Sequence, residues 1–199
     1  MVSNLVICAT VFTFSAVTFA SAQEFQYLRD VFRASIQHAE NKESRVNKFV
    51  YNNCGHPETD IFNLTSIIIR PDPVQLPGKV TLGASFVFRE TARSPIKLQV
   101  EIDVRSGGKW LKLPCIEQVG TCTYEDICDL LSLLPACPEP LVSAGIPCQC
   151  PFPKGSYNLP ASTIDIPLEL VPPGDYKVKA VFTNGEKPGA CIELTISFN

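Results

Sequence analysis

The chain is poor in the residues that most site chemistry needs. Among 199 residues there are 2 histidines, 1 methionine and 1 tryptophan. A histidine-dependent enzyme would have to use His38 or His56. Neither stands in a catalytic motif, since no G-x-S-x-G and no H-E-x-x-H occurs. His56 lies beside Cys54 and Pro57 and reads as a local structural residue, and His38 reads as a polar-face residue. No glycine-rich loop is suited to cradling phosphate. There is no basic excess either: 17 Lys and Arg face 20 Asp and Glu, a net charge of -3. No nucleic acid is therefore expected as a partner. The carboxylates Glu101 and Asp103 lie on a polar strand face, where solvation explains them. Asp165 and Glu169 flank a strand end and are no stronger as a sugar-facing acid pair. The expectation is a protein that is not an enzyme and carries no cofactor and no metal.

Charge is also absent before Glu24, and there the absence is informative. Leu5 to Ala20 are almost all apolar or small, and Ala20-Ser21-Ala22 forms a small-x-small cleavage site. Residues 1–22 therefore read as a signal peptide, too short for a membrane span. No later segment is long and apolar enough to cross a bilayer. An apolar content of 45% against 19% charged excludes wholesale disorder.

Removing the signal peptide removes Cys8 and leaves Cys54, Cys115, Cys122, Cys128, Cys137, Cys148, Cys150 and Cys191. An even number in an oxidising route implies a disulfide framework. Spacing alone leaves roughly a hundred pairings open. The spacings lack the C-x2-C and histidine clusters of a zinc site, and fully paired cysteines provide no nucleophile. Asn63-Leu64-Thr65 is an acceptor sequon for N-glycosylation.

Residues 23–50 stand apart, with no cysteine, proline or glycine. Phe25, Leu28, Phe32, Ile36 and Ala39 recur at helical spacing, so this extension reads as a weak amphipathic helix, serving as a propeptide, a loosely docked arm or a partner-binding helix. From Asn53 onward the pattern is that of strands. Phe62 to Arg70 holds the run Ile67, Ile68, Ile69. Lys79 to Arg89 sets Val80, Leu82, Ala84, Phe86 and Phe88 on one face. In Pro95 to Arg105, Ile96, Leu98, Val100, Ile102 and Val104 alternate with Lys97, Gln99, Glu101, Asp103 and Arg105. Such a strand has one buried and one wet face. Gly107-Gly108 reads as a tight turn into Lys109 to Leu113. One short helix interrupts, with Thr123 as N-cap, Asp126 as its capping-box partner and Pro135 as its stop. Ser156 to Leu159, Thr163 to Pro167, Asp175 to Phe182 and Cys191 to Phe198 complete the strands. Cys191 falls on the polar side of the last one, so its bond can tether the outer surface, for example to the segment around Cys54.

These strands predict an all-β domain over residues 51–199, an antiparallel sandwich, barrel or open cup. Periodicity does not decide between a filled core and a cavity lined by Phe86, Phe88, Leu98, Val100, Tyr176, Val178, Phe182 and Leu194. Leu130, Leu131, Leu133 and Leu134 make the helix more apolar than one buried stripe requires.

The cysteine region carries a specific likeness. Cys115 to Cys122 and Cys128, then Cys137-Pro138-Glu139-Pro140, then Gly145 to Cys148, Cys150 and Tyr157, together resemble the ganglioside activator family. So do Asn53-Cys54-Gly55, Pro71-Asp72-Pro73, Pro77-Gly78 and Trp110 to Cys115. Members are small lysosomal glycoproteins that help β-hexosaminidase reach a membrane lipid. The resemblance implies a β-cup, an antiparallel open barrel with an apolar cavity and four disulfides. Carried onto this chain, the family pairing is Cys54–Cys191, Cys115–Cys122, Cys128–Cys150 and Cys137–Cys148. It also implies a glycosphingolipid or other two-tailed lipid as ligand, a transient encounter with a membrane surface, and β-hexosaminidase as candidate partner. The expected membrane-facing rim is Leu130, Leu131, Leu133, Leu134, Leu170 and Val171. The expected location is the secretory pathway, either the lysosome or outside the cell. Two departures stand out. Lys79 replaces the family's own sequon, and Leu170 to Gly174 replaces a longer rim loop that carries a tryptophan. They keep open an alternative function, a secreted lipid carrier or modulator not coupled to a hydrolase.

Overall fold

The computed structural model describes residues 48–166 and 171–199. The expected signal peptide, nearly all of the 23–50 extension, and Leu170 lie outside the described residues.

Nine strands and two short helices follow in the order β1 (Val50–Asn53), β2 (Phe62–Arg70), β3 (Gly78–Phe88), β4 (Ile96–Ser106), β5 (Lys109–Lys112), β6 (Thr123–Tyr124), α1 (Ile127–Ser132), α2 (Glu139–Ser143), β7 (Gly155–Ile166), β8 (Gly174–Asn184) and β9 (Lys187–Phe198). They form two antiparallel sheets. One runs β1-β9-β8-β4-β5 with β6 also on β4, and the other runs β2-β3-β7.

Alternation sets the register of the larger sheet. Leu98 pairs with Phe182, Val100 with Ala180 and Ile102 with Val178. Val178 in turn pairs with Leu194, and Ala180 with Ile192. A slip of one residue would turn every apolar side chain outward. The outward face pairs Glu101 with Lys179 and Asp103 with Lys177, and Lys179 with Glu193.

The smaller sheet keeps its inner face apolar by two irregularities. Between Leu64 and Ser66 the β2 register shifts by one residue. This bulge puts Phe62, Leu64, Ile67 and Ile69 on one face, opposite Phe88, Phe86, Ala84 and Leu82. A second shift lies between Leu82, paired with Ser162, and Ala84, paired with Leu159. It absorbs Pro160 and Ala161 into one continuous strand β7, where two separate strands were expected. β7 is a sheet edge, the position where a proline removes no ladder bond. Gly83 faces Ala161, whose Cα lies 3.1 Å from where a Cβ would stand.

Other expectations are corrected. Among the described residues there are two short helices between the strands, not one. Thr123 belongs to β6, and Asp126 is the α1 N-cap, accepting from the Cys128 backbone N–H. Asp126 also accepts from Ile96 N–H and the Ser94 hydroxyl. These three bonds outweigh local burial and hold its carboxyl below the usual range.

The sheets are joined along one side. Cys54 bonds Cys191, and Cys54 N–H donates to Cys191 O at 3.0 Å. Tyr51 Oη donates to Leu64 O at 2.6 Å, and Ile61 N–H to Pro188 O at 3.4 Å. Further along, Val74 N–H donates to Ser197 O and Asn199 N–H to Val74 O, both at 2.8 Å. A Cβ on Gly55 would stand 2.3 Å from Asp60 Oδ2 and 3.0 Å from Cys191 N, so only glycine fits this joint. At one end Ile61, Ala92 and Ile96 form a buried cluster, packed by Phe88, Ile127, Phe152 and Phe182. On the far side β5 and β7 are unpaired edges among the described strands.

The remaining bonds are Cys115–Cys122, Cys128–Cys150 and Cys137–Cys148. Cys54–Cys191 spans 137 residues and Cys115–Cys122 spans 7. Constraint of the unfolded chain grows with loop length, so replacing the first pair by serine is expected to cost roughly 5 kcal/mol and the second roughly 2 kcal/mol. Denaturant midpoints of the two double variants check that order.

Candidate functional site

Both sheets turn apolar rows inward, and those rows are uncharged throughout. In the larger sheet they hold Ile96, Leu98, Val100, Ile102 and Val104 of β4, with Tyr176, Val178, Ala180 and Phe182 of β8. In the smaller sheet they hold Leu82, Ala84, Phe86 and Phe88 of β3. The titratable side chain in these rows is the phenol of Tyr176, which is 3% exposed.

Burial along these rows is uneven. Ile96 is 6% exposed and Val104 1%, whereas Leu98, Val100 and Ile102 between them are only half-buried. On β8 Tyr176 is 3% exposed, yet Val178, Ala180 and Phe182 are half-buried. Ile192 and Leu194 of β9, and Ile67, Ile69, Leu82 and Ala84 of the other sheet, follow the same pattern. Two sheets packed face to face interdigitate and bury such side chains. Here the ends are buried and the middle is only half-buried, so the inner faces are not packed to full burial along their whole length.

The residues expected to line a cavity take three positions. Phe86, Phe88 and Phe182 belong to an aromatic group centred on Phe62, at 5.4, 5.1 and 6.3 Å between ring centroids. The Phe62–Phe182 contact joins the two sheets. Phe86 also stacks on Tyr157, and Phe88 on Phe152, each at 5.4 Å. Leu98, Val100, Val178 and Leu194 lie on the half-buried wall. Tyr176 is sealed into the opposite end, edge-on to Phe198 at 5.7 Å, with its hydroxyl donating to Pro172 O at 2.9 Å. Burial pushes its phenol well above the ordinary tyrosine range.

The expected rim residues are not brought together. Asp126 ties the start of α1 to Ile96, the first residue of β4. Val171 instead lies shortly before Gly174, which pairs with Phe198 at the last residue of β9. These are opposite ends of one sheet. Leu130, Leu133 and Leu134 are 40%, 77% and 39% exposed, while Leu131 and Val171 are half-buried.

Two mouth residues were missed from the sequence. Leu111 pairs with buried Val104 on the β5 edge, and Ile164 pairs with buried Val80 on the β7 edge. Both face inward from the unpaired edges and both are exposed. Alternation with Leu113 carried the signal for Leu111. Nothing local marked Ile164, whose face depends on the bulge at Pro160.

A family model described as the ML domain matches residues 48–198. The chain is 36% identical over 162 residues to the Ganglioside GM2 activator of Mus musculus, covering 77% of this chain and 83% of that protein. It is 35% identical over 161 residues to the Ganglioside GM2 activator of Macaca fascicularis, covering 77% and 84%. Among solved structures, a Niemann-Pick type C2 protein from Japanese carpenter ant covers 75% of this chain and 99% of its own, at 14% identity and a TM-score of 0.40.

The sealed phenol has a measurable consequence. Above about pH 10 an unfolded tyrosine loses its proton while Tyr176 keeps it. The stability linked to this group is therefore present below pH ~10 and is lost as pH rises further. Tyr176→Phe should flatten that alkaline decline, and should lower stability near neutrality by about 1 kcal/mol for the lost hydrogen bond. Denaturant unfolding between pH 7 and 12 checks both effects.

Proposed function

The chain belongs to the ML-domain family, and from that premise we propose that it is a non-enzymatic lipid-binding and transfer protein. Its ligand is a glycosphingolipid or another two-tailed lipid, lifted from a membrane and held with its tails between the sheets. The sugar headgroup is left at the mouth for a soluble hydrolase, with β-hexosaminidase the candidate. The observation that carries this reading is the inward row of apolar, uncharged, half-buried side chains between sealed ends. Each methylene exposed in water costs about 0.8 kcal/mol, so two acyl tails need a dry container in transit. The unpaired β5 and β7 edges, with Leu111 and Ile164 facing inward, supply an entrance.

The four disulfides fit an oxidising secretory route. Within that route the lysosome is the compartment this function proposes. The family's activator role points there, and the relatives carry the activator name. The short Leu170 to Gly174 connection favours a second reading, an extracellular carrier acting without a hydrolase. Stimulation of β-hexosaminidase on vesicle-bound ganglioside separates the two.

Native mass spectrometry of the secreted protein should show adducts of two-tailed lipid mass that disappear on mild delipidation. Ala180 lies in the middle of the inner face, paired with Val100 and Ile192. In a filled core, Ala180→Trp would cost some 1–3 kcal/mol or more. In a hollow it should cost under 1 kcal/mol while reducing lipid uptake several-fold. Strong destabilisation, with no adduct in the wild type, would mean a dry core.

Asn63 is proposed as a glycosylation site. It lies on the β2 face opposite to that of Phe62 and Leu64, half-buried, with Oδ1 accepting from Asn53 Nδ2 at 3.3 Å. Protein secreted from eukaryotic cells should lose mass on treatment with peptide N-glycosidase, and Asn63→Gln should abolish the shift.

A further inference from the structure

A lobe comprising α1, α2 and their connections stands outside both sheets and is the most apolar exposed part of the described chain. Leu133 is 77% exposed and Val142 55%, with Leu130 and Leu134 near 40%. Neither helix buries a single residue. Helices of six and five residues do not hold themselves together in water. These are fixed by the Asp126 cap and by Cys128–Cys150 and Cys137–Cys148. Covalent ties therefore keep leucines on display that packing does not use.

The charge carried by the segment that contains this lobe is of one sign. No lysine, arginine or histidine occurs between Lys112 and Lys154, while Glu117, Glu125, Asp126, Asp129 and Glu139 do. The segment thus carries -5 in a chain of net -3, and the remainder carries +2. Three of the five acids have local roles. Glu125 pairs with Lys97 at 3.0 Å, Asp126 caps α1, and Glu139 accepts from the Ser143 hydroxyl. Asp129 and Glu139 stand exposed in the first turns of the two helices.

Membrane-seeking surfaces combine apolar side chains with Lys, Arg or Trp, and each basic residue near an anionic bilayer contributes about 1 kcal/mol. This lobe has none of those residues, and its carboxylates are repelled by such a surface. An apolar centre rimmed by carboxylates is instead complementary to an apolar groove rimmed by basic residues on another protein. We propose that the α1–α2 lobe is the docking surface for the soluble hydrolase that receives the lipid headgroup. This rests on the lipid-presentation reading above, and it assigns membrane contact and enzyme contact to different parts of the molecule.

The test uses the full secreted chain, purified β-hexosaminidase A, and phosphatidylcholine vesicles with and without an anionic phospholipid. Leu133→Ser combined with Val142→Ser alters exposed positions only, where stability changes little. Lipid transfer between vesicles and vesicle binding should stay within twofold of the wild type, and affinity for the hydrolase should fall at least tenfold. Asp129→Asn with Glu139→Gln should slow association and weaken its salt dependence. Unchanged hydrolase binding in the serine variant, alongside normal transfer, would overturn this inference alone. So would lost vesicle binding in that variant, which would make the lobe a membrane lip, and so would a wild type that transfers lipid but never binds the hydrolase. Absence of lipid transfer by the wild type would remove the presentation reading itself, and this inference with it.

Discussion

The fold depends on a joint along one side of two sheets. At that joint the Cys54–Cys191 bond, the Cys54 N–H to Cys191 O bond and the Tyr51 hydroxyl on Leu64 O hold β1 and β9 against β2. Gly55 allows the approach because any larger residue would strike Asp60 and Cys191. A sandwich ordinarily derives its stability from inner faces that meet and exclude water. Here they are fully buried at the Ile61–Ala92–Ile96 end and around Tyr176, and only half-buried between. The hydrophobic term is correspondingly smaller than the apolar composition would provide in a filled domain. Disulfides and cross-sheet backbone bonds offset that deficit, chiefly by restricting the unfolded chain.

Keeping the interior uncharged places the electrostatics on the outside, where they follow from register. Glu101 lies opposite Lys179 and takes a 3.0 Å bond from Lys112, which holds its carboxyl below the usual range. A bond from Lys187 does the same for Glu90. A depressed carboxylate pKa contributes stability above the unfolded value, and that stability is lost only as pH falls through the lowered one. These exposed pairs are individually weak.

The sequence made the regular parts of this architecture legible and hid the irregular ones. Strict alternation from Ile96 to Arg105 stated both the strand and its two faces, and the cysteine spacing with its flanking prolines pointed to the family. β1 was hidden because four residues, Val50 to Asn53, carry no pattern of their own and become a strand only by pairing with β9. The bulge after Leu64 was hidden for a related reason. Three consecutive isoleucines fit either face, and only pairing with Ala84 and Leu82 assigns Ile67 and Ile69 inward. Pro160 read as a break because proline ends most strands, yet on the free edge of β7 its missing N–H costs nothing. The helix start was misplaced because Thr123 and Asp126 are both good caps, and contact with Ile96 and Ser94 decided for the aspartate.

Strands β5 and β7 are free sheet edges among the described strands, and free edges invite pairing with other chains. β7 would be the more hazardous, since its twelve residues carry a single charge, at Asp165. Its one proline and its bulge lie together in mid-strand, between Leu159 and Ser162, and divide the edge into segments too short for a long continuous ladder. β5 is guarded differently: it has four residues, all exposed, with Lys109 and Lys112 at its ends. Irregularity occurs on the joined side too, in the bulge of β2, but there β1, β2 and β9 are tied by covalent and backbone bonds, so only the free edges depend on being poor templates. A free edge avoids pairing with other chains only if it is a poor template, and on β7 the same proline and bulge that obscured the strand in the sequence meet that condition.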